Sequence, residues 1–188
     1  MTDRPADHLE IWSPDQSIRM TVGLRGPTAL AIDSLSLRRH GHRWVADALV
    51  TLAAQASDRL RRDHAEWVRR THTVPSSESS PSTSRRTTAS AAAAAVRERL
   101  GAHPVFADDH QRTMTTSDGL IAVTATAYRP THIAIDPAAD RPYGRHRYPG
   151  PLLAEAVISL SQQATAAITA ERRDVASEIL ATELGCSA

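Results

Sequence analysis

The chain contains no lysine and no asparagine, so all 22 of its basic residues are arginine. Together with abundant alanine, this bias marks a high-GC genome. An arginine here is therefore weak proof that a phosphate-binding fork was selected. A formal net charge of +1 leaves no global excess of either sign to announce a nucleic-acid or membrane partner. The single cysteine, Cys186, excludes an intrachain disulfide and argues against a cysteine-based zinc site. The first 25 residues have neither the basic start nor the apolar run of a secretion signal. The longest strongly apolar window, 44–56, contains Asp47 and Gln55 and is too short to cross a bilayer. These absences predict a soluble, cytoplasmic protein with no membrane partner. Its 188 residues suffice for one ordinary domain or two small ones.

Catalytic signatures are lacking too. There is no G-x-S-x-G elbow, no phosphate-binding P-loop, no G-x-G-x-x-G and no H-E-x-x-H. His40-x-His42 has the spacing of two metal ligands, but no third ligand stands at a sensible distance along the chain. The sequence therefore predicts no enzyme, no cofactor and no metal.

What the chain does contain is a repeat. SPDQSIRMTVGLRGPTALAID (13–33) lies over TSDGLIAVTATAYRPTHIAID (116–136) without a gap, with eight of 21 positions identical. Ile18, Met20, Val22 and Leu24 alternate in the first copy, as Ile121, Val123, Ala125 and Ala127 do in the second. A period of two reads as a half-buried strand. Ser-Pro-Asp-Gln and Ser-Asp-Gly stand before these strands, and Gly26-Pro27 and Arg129-Pro130 close them. A third strand follows at 30–32 and 133–135, and first strands are expected at 8–12 and 111–115. Each copy is then a three-stranded antiparallel meander.

After five extra residues in the second copy the match resumes. ADALVTLAAQA (46–56) aligns with AEAVISLSQQA (154–164), five of 11 positions being identical. Leu153, Val157, Leu160, Ala164, Ile168, Val175 and Ile179 form a stripe at helical steps. Pro151 fits the first helical position, where its missing amide has no partner to lose. A helix over 151–182 would run about 48 Å at about 1.5 Å per residue. Its counterpart is expected from about Arg43 to Arg70. Residues 73–88, rich in Ser, Thr, Pro and Arg, have little to bury and read as a flexible linker. An extra Ala-rich helix is expected over 89–101.

The domain organisation is thus a first unit at 1–72, a linker at 73–88 and a second unit with its own leading helix at 89–188. The fold class is α+β, with two β-β-β-α units carrying antiparallel sheets and long helices. A unit of about 60 residues is marginal alone. Two copies can cover each other about a twofold axis, so the expected arrangement is an intramolecular pseudo-dimer, with further homo-oligomerisation left open.

The pattern S-D-G-L-I-x-V-T, a turn, I-x-I-D-P, a polar loop and L-x-E-A-V resembles the YbaB/EbfC family of nucleoid-associated DNA-binding proteins. Residues 117–124, 133–137 and 152–157 carry it. The likeness covers 89 to about 182 well and 8–70 faintly, because the first unit lacks the leading helix, a Gly at position 16 and a Pro after Asp33. The resemblance implies a sequence-tolerant binder of double-stranded DNA in the bacterial cytoplasm and nucleoid. A divergent actinobacterial branch of similar folds resembles accessory proteins of type VII secretion. It implies instead a non-catalytic protein-binding accessory factor with a protein partner.

Candidate DNA-contact residues lie before each helix. SLRRHGHR (36–43) offers Arg38, Arg39 and Arg43, with His40 and His42 adding charge at lower pH. RPYGRHRY (141–148) offers Arg145, His146 and Arg147, with Tyr143 and Tyr148 able to stack. An ordinary solvated loop would look the same in a chain whose every cation is Arg. A second basic run, RLRRDHAEWVRR (59–70), is interleaved with acids. It reads as a solvated helix face with Arg59/Asp63 and Arg62/Glu66 pairs, and Trp67 as either an anchor or an exposed contact. Asp33 and Asp136, equivalent in the repeat, read as strand-ending caps rather than a catalytic pair.

Overall fold

A computed structural model describes residues 5–71, 85–139 and 148–184. Strands β1 (His8–Trp12), β2 (Ile18–Gly23) and β3 (Gly26–Ile32) form one antiparallel sheet in the order β1-β2-β3 and lead into helix α1 (Ser34–Thr71). Helix α2 (Arg85–Ala102) and a 3-10 turn at Pro104–Phe106 precede β4 (Arg112–Thr115), β5 (Ile121–Ala125) and β6 (Pro130–Ile135). These three make a second sheet of the same order, followed by α3 (Gly150–Leu184). The protein is α+β, as its alternation and helical stripe predict.

The two meanders agree in detail. Ladder pairing slips between Thr21 and Val22 in one sheet and between Thr124 and Ala125 in the other, the same step of the repeat. The turn before each central strand is built alike. Asp15 accepts hydrogen bonds from the Ser13 and Ser17 hydroxyls at 2.6 and 2.8 Å, and the Ser13 hydroxyl accepts one from the Ile18 amide at 2.9 Å. Asp118 accepts from the Thr116 hydroxyl at 2.6 Å, and that hydroxyl accepts from the Ile121 amide at 3.1 Å.

Burial on the helices follows the repeat as closely. Val45, Ala46, Leu49, Leu52, Ala53, Ala56, Ser57 and Leu60 are buried on α1; their counterparts Leu153, Ala154, Val157, Leu160, Ser161, Ala164, Thr165 and Ile168 are buried on α3. Packing is reciprocal. Each helix lies on its own sheet and also on the far strand of the other sheet, α1 on β6 and α3 on β3. A single hydrophobic core therefore joins Ile18, Met20 and Val22 to Ile121 and Val123, and Leu49 and Leu52 to Val157 and Leu160. Burying each such aliphatic side chain contributes about 1.5–3 kcal/mol.

Several boundaries differ from expectation. The third strands begin earlier, β3 at Gly26 and β6 at Pro130, so Gly26-Pro27 and Pro130, read as closing turns, are already paired in the ladders. The basic segment 36–43 is not a loop: α1 begins at Ser34, because the Asp33 carboxylate caps it by accepting from the Leu35 amide at 3.1 Å and the Ser36 amide at 3.3 Å. A break at Gly41 (φ 76°, ψ 167°) separates this short piece from the long helix. Residues 85–88, assigned to the linker, are the first turn of α2, and the rest of 73–88 lies outside the described residues. Finally, α2 passes through Gly101 and ends at Ala102.

Candidate nucleic-acid interface

The first basic cluster is built on the elbow at Gly41. Asp33 starts the short helical piece at the end of β3, which turns Arg38 and Arg39 outward. Gly41 supplies the positive φ that redirects the chain, and the next turn buries His42 while exposing Arg43. His40 is fixed on the outside: its ring stacks on Trp44 at 4.3 Å between centroids, and its Nε2 lies 4.0 Å from the Asp15 carboxylate. His40 and His42 thus face different environments. Among the described residues no group of three or more His, Cys, Asp or Glu side chains is placed to hold a metal ion.

Arg38, Arg39 and Arg43 are exposed and enter no ion pair among the described residues. Arg145, His146 and Arg147, like Tyr143, lie outside the described residues. Tyr148 closes that segment, its hydroxyl donating to the Asp118 carboxylate at 2.8 Å. Tyr148 therefore anchors α3's approach to the β4–β5 turn.

The second basic run is partly engaged. Glu66 pairs with Arg70 at 3.1 Å rather than with Arg62, and no Arg59–Asp63 pair forms among the described residues. Arg61 reaches across to the other half, 3.8 Å from the Asp108 carboxylate and with its guanidinium 4.5 Å from the Tyr128 ring centroid. Asp33 and Asp136 both cap: Asp136 accepts from the Ala138 amide at 2.7 Å, as Asp33 does from Leu35.

Two polar hubs were not anticipated. Arg129 donates to Asp58 at 2.8 Å and to the Ala54 carbonyl at 3.3 Å, tying the β5–β6 turn to α1. In the repeat, Asp58 stands opposite Ala166 and Arg129 opposite Gly26. Two charges that depart together from the repeat were the available signal. Arg172 donates to the Val105 carbonyl at 2.9 Å and the Ala107 carbonyl at 3.1 Å, while Glu171 accepts from Arg112 at 2.6 Å and contacts His110 at 3.0 Å. The Arg112 hydrogen bond, then that of His110, lowers the Glu171 carboxyl below its usual range, and Glu171 raises Arg112 in return. These groups fasten the segment after α2 onto α3.

Comparison with protein-family models, with curated proteins and with solved structures yields no match to this chain. Among the described residues no helix is long and apolar enough to cross a membrane.

Proposed function

We propose that the chain is an intramolecular pseudo-dimer of two YbaB/EbfC-like units that binds double-stranded DNA with little sequence preference, without catalysis, in the cytoplasm and nucleoid. Reciprocal packing of each helix on the other half's outer strand supports the pseudo-dimer. The observation that carries the DNA reading is the group of exposed arginines, Arg38, Arg39 and Arg43, held at a fixed elbow and free of ion pairs among the described residues. Arginines without internal partners are the ones available to displace counterions from phosphates. The repeat assigns Arg145, His146 and Arg147 to the same place in the second unit, which would double the contact about the pseudo-twofold.

The reading is tested by duplex affinity as a function of salt. The logarithm of the affinity should fall with the logarithm of salt concentration, with a slope of about 0.9 for each phosphate contacted. Replacing Arg38, Arg39 and Arg43 together by Ala should flatten that slope by up to about 0.9 per lost contact while leaving the melting temperature unchanged. Absence of duplex binding at low salt refutes the reading.

A second reading, a protein-binding accessory factor such as those of type VII secretion, is favoured by one specific observation. The end of α1 exposes Val68 beside a half-buried Trp67.

A further inference from the structure

The two helices differ beyond their shared core. Buried side chains stop at Leu60 on α1 and at its counterpart Ile168 on α3. Past Ile168, α3 is covered. Arg99 of α2 pairs with Glu183 at 2.9 Å, and the residues after α2 meet Arg172, so the end of α2 and the turn after it run antiparallel to α3 from Glu183 back to Arg172. Seven of the 18 residues of α2 are alanine. Past Leu60, among the described residues, no helix lies along α1 as α2 lies along α3. The repeat places His64, Trp67 and Val68 where α3 has Arg172, Val175 and Ala176.

Charge says what could lie there. The covered end of α3 carries Glu171, Asp174, Glu178 and Glu183 against Arg172 and Arg173, and it accepts Arg99 of α2, a helix whose four arginines outnumber its one acid, Glu98. The uncovered end of α1, past Leu60, has the opposite balance, with Arg61, Arg62, Arg69 and Arg70 against Asp63 and Glu66; Arg61 also meets Asp108, and Arg70 pairs with Glu66. The chain's own basic α2, offered by a second copy, would meet like charge.

We propose that His64, Trp67 and Val68 form a docking flank for a short amphipathic helix of another protein, acidic at its rim. The partner helix takes the place on α1 that the end of α2 and the turn after it take on α3. Trp67 supplies the central contact, and the surrounding arginines select a carboxylate-bearing rim. The proposal does not depend on DNA binding.

The test titrates the full chain, by calorimetry, with a synthetic peptide of residues 85–102 in which Arg85, Arg86, Arg97 and Arg99 are all replaced by Glu. The unmodified peptide is the comparison. The acidic peptide should bind, the basic one about tenfold or more weaker, and added salt should narrow the difference. Trp67→Ala and, separately, Val68→Asp should each weaken the acidic peptide about tenfold without shifting the melting temperature, since both side chains lie beyond the buried part of α1. Failure of the acidic peptide to bind, equal binding of both peptides, or indifference to both substitutions overturns the proposal. So does self-association of the full chain that Val68→Asp abolishes, because the occupant would then be a second copy.

Discussion

Gln16 and Gly119 occupy the same turn position in the two halves, and both adopt positive φ, 58° and 74°. A glutamine there holds a left-handed conformation that an L-residue adopts at a cost of about 1–2 kcal/mol, while glycine adopts it freely. Gln16→Gly should therefore stabilise the chain by up to about 1 kcal/mol after the added freedom of the unfolded chain is offset. Gly119→Ala, which meets no neighbouring atom, should destabilise by a similar amount through φ alone. Urea denaturation of both variants checks the pair.

Gly150 is a glycine for a different reason. A Cβ at this position would collide with the Ile32 carbonyl oxygen and crowd the Ser34 hydroxyl, at the point where α3 enters against β3. The collision is with backbone, so relief requires α3 to move. Gly150→Ala should destabilise by about 1–3 kcal/mol, as overpacking does, despite alanine's better helix propensity. Thermal melts of Gly150→Ala beside Gly101→Ala, whose added Cβ meets nothing, separate the two effects.

Asp15 predicts an acid-side response. Hydrogen bonds from the Ser13 hydroxyl, then that of Ser17, hold its carboxyl at about 2, from an ordinary value of 3.8. A carboxyl depressed by folding favours the folded state fully above its unfolded value, and that contribution fades as pH falls from about 4 through about 2. Asp15→Asn should lower the melting temperature at neutral pH and flatten its fall between pH 4 and 2. A melting series across that window measures it.

Much of this fold was legible in the sequence, for physical reasons. The period-two alternation of Ile18, Met20 and Val22 reports a face that must be dry, and these residues are fully buried. The stripe from Leu153 to Ile168 did the same for α3. The start of α1 was not legible. SLRRHGHR has no apolar periodicity, and Gly41 reads as a loop residue when it is a break within a helix. Of the candidate site, the placement of Arg38, Arg39 and Arg43 on one exposed segment was legible; the elbow that holds them was not. The Arg129–Asp58 link leaves no periodic trace, and only the joint departure of its two charges from the repeat pointed to it.

That link is the next prediction. Asp58 is 56% exposed and Arg129 33%, so solvent screens much of their attraction. A double-mutant cycle of Asp58→Ala and Arg129→Ala should give a coupling of about 0.2–1 kcal/mol. A coupling of zero would mean that this pair adds nothing to the apolar core that joins the two halves.

The account rests on one core built jointly by both halves, and dividing the chain tests this most directly. Residues 1–76 and 77–188 should be produced separately, then mixed, and followed by circular dichroism and sedimentation. Neither piece should be a folded monomer with a cooperative melt, and the mixture should recover a single transition like that of the intact chain. If either piece alone proves a monomer that unfolds cooperatively, the shared core is contradicted.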